Sequence, residues 1–172
     1  VVIGKLSSDL NGNSILFDAL KKVDFSAYDS IVIGPGIGLN EDDWEKSTQY
    51  LLDLKGLLIL DADALNRISK SNLGSKFFLE RNSETWITPH NKEFVRLFPD
   101  LDCINKVELA KKAAKEFDIS ILLKGANSVI ANNENAWQLF GTDAETARAG
   151  LGDLLSGFIG GSSAIELSSF RQ

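Results

Sequence analysis

Leu57 to Asn66 reads LLILDADALN. Four consecutive apolar residues without polar alternation describe a strand buried on both faces. The Asp-Ala-Asp that follows ends it and opens a loop into a helix. The same design recurs on either side. IVI (31–33) runs into GPGIG, and EDDWEKSTQYLLDL (41–54) then predicts a helix with Trp44, Leu51 and Leu52 on one side and acidic residues in its first turn. TWI (85–87) runs into TPHNKEF, and a Lys- and Ala-rich helix at about 105–117 leads to ISILLKGA. SVIA and AWQLF flank the turn NNEN as a hairpin. Strands alternating with helices predict crossover connections and a mainly parallel sheet covered on both faces, with the hairpin as an antiparallel edge.

Composition narrows the function classes. The chain has 172 residues, 44% hydrophobic, which fits one domain with a full core. A net charge of −6 argues against a nucleic-acid surface, whereas local amides can still bind a nucleotide's phosphates. No apolar run is long enough to span a bilayer, so no membrane partner is expected. The lone Cys103 allows no internal disulfide and fits the cytoplasm. The sequence contains no Met, begins VVIG and stops soon after a glycine-rich helix, so residues 1–172 are expected to be one partial domain of a longer protein.

Each strand ends in a loop rich in Gly, Asp, His or Lys. In an open α/β sheet, ligands bind beyond the carboxyl ends of the strands, so four segments deliver polar groups to one rim. GPGIG either brings backbone amides to a ligand or is glycine-rich for steric reasons. Of the two carboxylates of DADALN, Asp63 is expected to cap the next helix. Asp61 is left open between holding Mg²⁺ through its water shell and meeting a ribose. His90, the single histidine, either serves a ligand oxygen or is structural, with Thr88 or Asn91 capping the helix after it. Lys124 offers a point charge for phosphate, with Asn127 and Ser128 as hydrogen-bonding groups, or is a solvated lysine before a turn. Arg148 meets either phosphate or solvent.

Ala147 to Ile159, ARAGLGDLLSGFI, is the most specific stretch. Gly150, Leu151 and Gly152 stand where a loop hands over to a helix whose first amides have no internal acceptor, a ready anion site. Asp153 beside them suits a general base for a hydroxyl attacking a phosphoryl group. Leu154, Leu155, Phe158 and Ile159 are expected to bury this helix.

In order, IVIGPGIG, LILDADALN, ITPHNKEFVRLF, ILLKGANSVIA and ARAGLGDLLSGFIGG resemble the successive blocks of the ADP- or ATP-dependent NAD(P)H-hydrate dehydratase family, from about Asp29 to Gly161. That family lies within the ribokinase-like superfamily. The resemblance implies a three-layer α/β/α fold, present here in part and truncated at both ends. It implies repair of hydrated NADH or NADPH: ADP or ATP with Mg²⁺ phosphorylates the hydrate's hydroxyl, and phosphate then leaves. By the same resemblance Gly38, His90 and Asp153 line the hydrate site, while Lys124, Gly125, Ala126, Asn127, Ser128 and Gly152 contact the nucleotide. No metal-ligating side chain is assigned, and many relatives are tetramers, so a homo-oligomer is expected. AGLGD stands where the family often reads GG[ST]GD, and TPHNKE where it reads TPHPGE. Two other readings share these features: a superfamily kinase acting on a vitamin precursor or sugar, and an inactive nucleotide-binding module.

Overall fold

The computed structural model describes residues 16–39, 44–140 and 150–165. Six strands, β1 (Ser30–Ile33), β2 (Leu57–Leu60), β3 (Thr85–Ile87), β4 (Ser120–Leu123), β5 (Val129–Ala131) and β6 (Ala136–Gln138), form one sheet in sequential order. The first four are parallel; β5 and β6 are antiparallel, as the NNEN turn predicted.

Seven helices accompany the sheet among the described residues: α1 (Leu16–Leu20), α2 (Trp44–Asp53), α3 (Ala62–Lys70), α4 (Lys76–Glu80), α5 (Asn91–Leu97), α6 (Lys106–Phe117) and α7 (Leu151–Ile165). Right-handed crossovers between parallel strands added in one direction place their helices on one face. The register shows that face directly. Ile33, Leu60, Ile87, Ile121 and Ala131 lie side by side across five strands. All five join the core with Leu51, Leu65, Phe94 and Ala114 of the helices. Trp44 and Leu51 of α2 are buried and Leu52 is half-buried, as its pattern predicted.

The opposite face carries α7 against β1 and β2. There the sequence expectation fails. Leu154 and Phe158 are 71% and 68% exposed, and Leu155 and Ile159 are half-buried. Ser156, Gly160 and Ser163 face the sheet instead. The reason is distance: a Cβ on Gly160 would lie 2.5 Å from Val32 Cγ2, and Ser30 Oγ donates to the Gly160 carbonyl at 2.7 Å. A helix this close to a sheet has room for glycine and serine, not leucine.

Buried Arg81 closes the end of α2. Its guanidinium donates to the carbonyls of Leu51 (2.7 Å), Leu54 (2.6 Å) and Gly56 (2.9 Å), and to Thr85 Oγ1 (3.1 Å). Burial pushes it down to about 10, which leaves it charged at neutral pH.

Candidate active site

The carboxyl ends of β1 to β4 meet at one rim through their own backbones. Asp61 N donates to Ile33 O (3.1 Å), Thr88 N to Leu60 O (3.1 Å) and Lys124 N to Pro89 O (2.8 Å). Gly34 has φ +140°, and a Cβ there would stand 1.7 Å from the Asp61 carbonyl oxygen. The first glycine of GPGIG is therefore steric: it lets two strand ends touch.

The helix cap expected of Asp63 falls to Asp61 instead. Asp61 is the cap of α3, its Oδ1 accepting from Ala62 N at 2.8 Å. Asp63 reaches back across the rim, its Oδ2 accepting from Gly38 N at 2.9 Å. Arg67, one turn further on and 2% exposed, donates to the carbonyls of Gly38 (2.7 Å) and Ile37 (3.3 Å). Gly38 thus has both backbone polar groups engaged by α3. It offers a ligand an open Cα face, since a Cβ there would meet nothing within 4 Å.

Asp61 is 1% exposed and its carboxylate accepts from three donors. Besides Ala62 N, it takes Lys124 Nζ at 2.7 Å and Ser156 Oγ at 2.5 Å. Thr88 Oγ1 lies 3.5 Å from the same Ser156 hydroxyl. At 1% exposure the Asp61 carboxylate is turned to these protein donors and not presented at the rim, where the two uses left open for it, ribose or Mg²⁺, would need it. Lys124 is correspondingly no free surface lysine. Its ammonium is fixed beside α7, 3.7 Å from where a Cβ of Gly152 would be.

His90 is itself the cap of α5, where Thr88 or Asn91 was expected. Its Nδ1 accepts from Glu93 N (3.2 Å), and Glu93 Oε2 accepts from His90 N (2.8 Å), a reciprocal capping box. A ring nitrogen that accepts carries no proton, so in the neutral ring the proton is on Nε2. That nitrogen lies 3.4 Å from Glu93 Oε1, and the side chain is 53% exposed. Both ring nitrogens thus lie against Glu93 while half of the ring stays exposed, and His90 pairs with Lys124 in a parallel bridge.

The Lys124–Ser128 loop is organised by a residue that no sequence signal marked. Lys106 Nζ, at the start of α6, donates to the carbonyls of Lys124 (3.2 Å) and Asn127 (3.1 Å). Burial lowers its pKa. Ser128 Oγ donates to Gly125 O (3.0 Å), closing the turn. Gly125, Ala126 and Asn127 remain exposed.

Gly150 has φ +84°, open to glycine at little cost, and leads straight into α7. Leu151, Gly152 and Asp153 supply the first turn, where the amides lack acceptors within the helix. Leu151 and Asp153 are exposed, so this mouth is open to solvent. Arg148 and Ala149 lie outside the described residues. A separate cavity of about 510 Å³, lined by Phe25, Tyr28, Lys55 and Glu84, sits at the opposite rim, away from these groups.

The chain is similar to known proteins. Residues 7–171 match the family model described as NAD(P)H-hydrate dehydratase. The chain is 36% identical over 143 residues to the bifunctional NAD(P)H-hydrate repair enzyme Nnr of Synechocystis sp., covering 83% of this chain and 26% of that one. It superposes on the ADP/ATP-dependent NAD(P)H-hydrate dehydratase from Bacillus subtilis, co-crystallized with ATP/Mg²⁺ and soaked with CoA, with a TM-score of 0.61. That match has 28% identity and covers 79% of this chain and 48% of the other. A ribokinase-like superfamily protein from Enterococcus faecalis shares the fold at a TM-score of 0.68 and 24% identity, over 87% of this chain and 50% of its own. The chain therefore spans about a quarter of the repair enzyme and half of the two solved structures. With residues 7–171 of this chain matched by the family model and the fold shared, the chain belongs to the NAD(P)H-hydrate dehydratase family, built on a ribokinase-like α/β fold.

Proposed function

We propose that the protein repairs hydrated NADH and NADPH at the expense of ADP or ATP. The observation that carries this reading is the convergence of the α7 mouth, the Lys124 ammonium beside Gly152 and the oriented His90 imidazole on one rim. Phosphoryl transfer needs little covalent chemistry from a protein; it needs donors and charge placed around the moving group. Amides of Leu151, Gly152 and Asp153 hold its oxygens, and Lys124 adds a fixed positive charge. Asp153, exposed at the mouth, accepts the proton of the hydrate's hydroxyl as that oxygen bonds to phosphorus and the nucleotide's terminal P–O bond breaks. Phosphate then leaves with the C–O electron pair, the neighbouring ring carbon gives up a proton, and the double bond returns. His90 Nε2–H and the open face of Gly38 receive the nicotinamide end, and Lys124 to Ser128 receive the nucleotide.

Mg²⁺ would enter this arrangement on the nucleotide, beside Lys124 and the α7 mouth, and would supply positive charge to its phosphates. Among the described residues no group of three His, Cys, Asp or Glu is placed to cage a metal. Family assembly extends the reading to a homo-oligomer, and the free Cys103 fits a cytoplasmic setting.

The test is whether prepared NADH hydrate regains its 340 nm absorbance when the full-length protein is given ADP or ATP with Mg²⁺. Asp153→Asn should cut that turnover by at least about a hundredfold. Wild-type-like turnover in the variant would refute the base assignment. Phosphorylation of hydroxymethylpyrimidine or pyridoxal without hydrate repair would assign the site to a kinase instead.

A further inference from the structure

We infer that Asp61 is a positioning residue for the nucleotide half of the site, acting through Lys124 rather than on any ligand. The inference rests on the nucleotide reading above and adds to it the group that makes Lys124 effective. A lysine side chain has four rotatable bonds and strong hydration, so left alone at a strand end its charge is spread over a wide volume. Here the ammonium is drawn to 2.7 Å from a carboxylate that is 1% exposed, and comes to rest beside the first turn of α7. The carboxylate is itself immobilised from three directions. Ala62 N holds Oδ1 from α3, Lys124 holds it from just past the end of β4, and Ser156 Oγ holds Oδ2 from α7.

Ser156 lies four residues after Gly152 and also contacts the Gly152 carbonyl at 3.0 Å. One buried aspartate therefore fixes the distance between the cation and the helix mouth meant to share an anion with it. Asp61 is buried, so it acts on a ligand through the groups it holds: chiefly the charge of Lys124 and, by way of Ser156, the seating of the α7 mouth. An arriving phosphate meets a charge already in place, and the entropy of ordering that side chain has been spent in folding.

A double-mutant cycle on ADP affinity tests this, measured by calorimetry on the full-length wild type, Asp61→Asn, Lys124→Ala and the double variant, each first shown to be folded by circular dichroism. Asp61→Asn keeps the oxygen that caps α3 and removes the charge. Each single change should weaken ADP by about ten- to a hundredfold. The double variant should bind within about fivefold of Lys124→Ala alone, far short of the product of the two single losses, the remainder being what Asp61 does through Ser156. Losses that multiply, or wild-type affinity in Asp61→Asn, would overturn the inference while leaving the nucleotide site intact. A wild type that binds no ADP would instead remove the nucleotide reading itself, and this inference with it. Should Asp61→Asn fail to fold, Asp61→Ser, which also removes the charge and keeps a helix-capping oxygen, takes its place in the cycle with the same expectation. Losses that multiply with that variant would equally overturn the inference.

Discussion

Adding a single methyl group to Gly160 tests how α7 is seated. Three glycines of this helix differ only in their surroundings. A Cβ at Gly157 or Gly161 would meet nothing within 4 Å, whereas at Gly160 it would lie 2.5 Å from Val32 Cγ2 and 3.9 Å from Ile59 Cδ1. All three alanine variants gain the helix preference of alanine over glycine, about 0.5–1 kcal/mol. Only Gly160→Ala also carries the cost of overpacking, about 1–3 kcal/mol. Val32 is β-branched and stiff at χ1, so it cannot swing aside freely. The difference between Gly160→Ala and the two controls should therefore be about 1–3 kcal/mol, read from urea denaturation at constant m-value. In melting temperature this is roughly 2–4 °C per kcal/mol for a chain of this size. Val32→Ala in the Gly160→Ala background should return most of the loss. If Gly160→Ala stabilises the protein as much as Gly157→Ala does, α7 does not sit against β1 as described.

Other outcomes follow from the rim. Asp63→Ala frees the Gly38 amide, so the KM for NADH hydrate should rise about tenfold while ADP affinity stays within about twofold; equal loss of both would refute the assignment of Gly38 to the hydrate side. His90→Asn keeps an acceptor at the α5 cap, so its unfolding free energy should stay within about 0.5 kcal/mol of wild type while turnover falls; His90→Ala should lose about 1 kcal/mol as well. Arg81→Ala leaves the Leu51, Leu54 and Gly56 carbonyls without their donor and should cost at least about 2 kcal/mol in denaturant titration. The folded value of Arg81, about 10, lies below its ordinary one, so the cost of burying its charge is present below about pH 10 and is relieved only as pH rises from there. The difference between wild type and Arg81→Ala should accordingly be flat from about pH 6 to 9.

The parts of this fold that follow a simple period were legible without coordinates. Leu57–Leu60 and Thr85–Ile87 are strands with the bounds their apolar runs suggested, and the turn at NNEN makes the hairpin. Strand-end chemistry converged because topology forces it to. What stayed hidden depends on direction rather than spacing. Asp61 and Asp63 are chemically identical two residues apart, and nothing in DADALN says which faces the helix end and which the neighbouring loop. The leucines of α7 look like a buried stripe by hydropathy, yet close approach to β1 reserves the inner face for Ser156, Gly160 and Ser163. Lys106 carries no motif; its role exists only because α6 begins under the Lys124–Ser128 loop.

Each strand of this sheet pairs with its neighbours in sequence, so the layers can grow one after another along the chain. The Ser30–Gly160 bond, across 130 positions, is the exception, and the Asp61–Ser156 bond spans 95. Long closures of this kind are entropically late events in folding. The proposed seat for phosphate is thus expected to be the last portion to come together and the first to loosen, and an anion lodged in it would act as a clasp holding the earliest strand to the final helix.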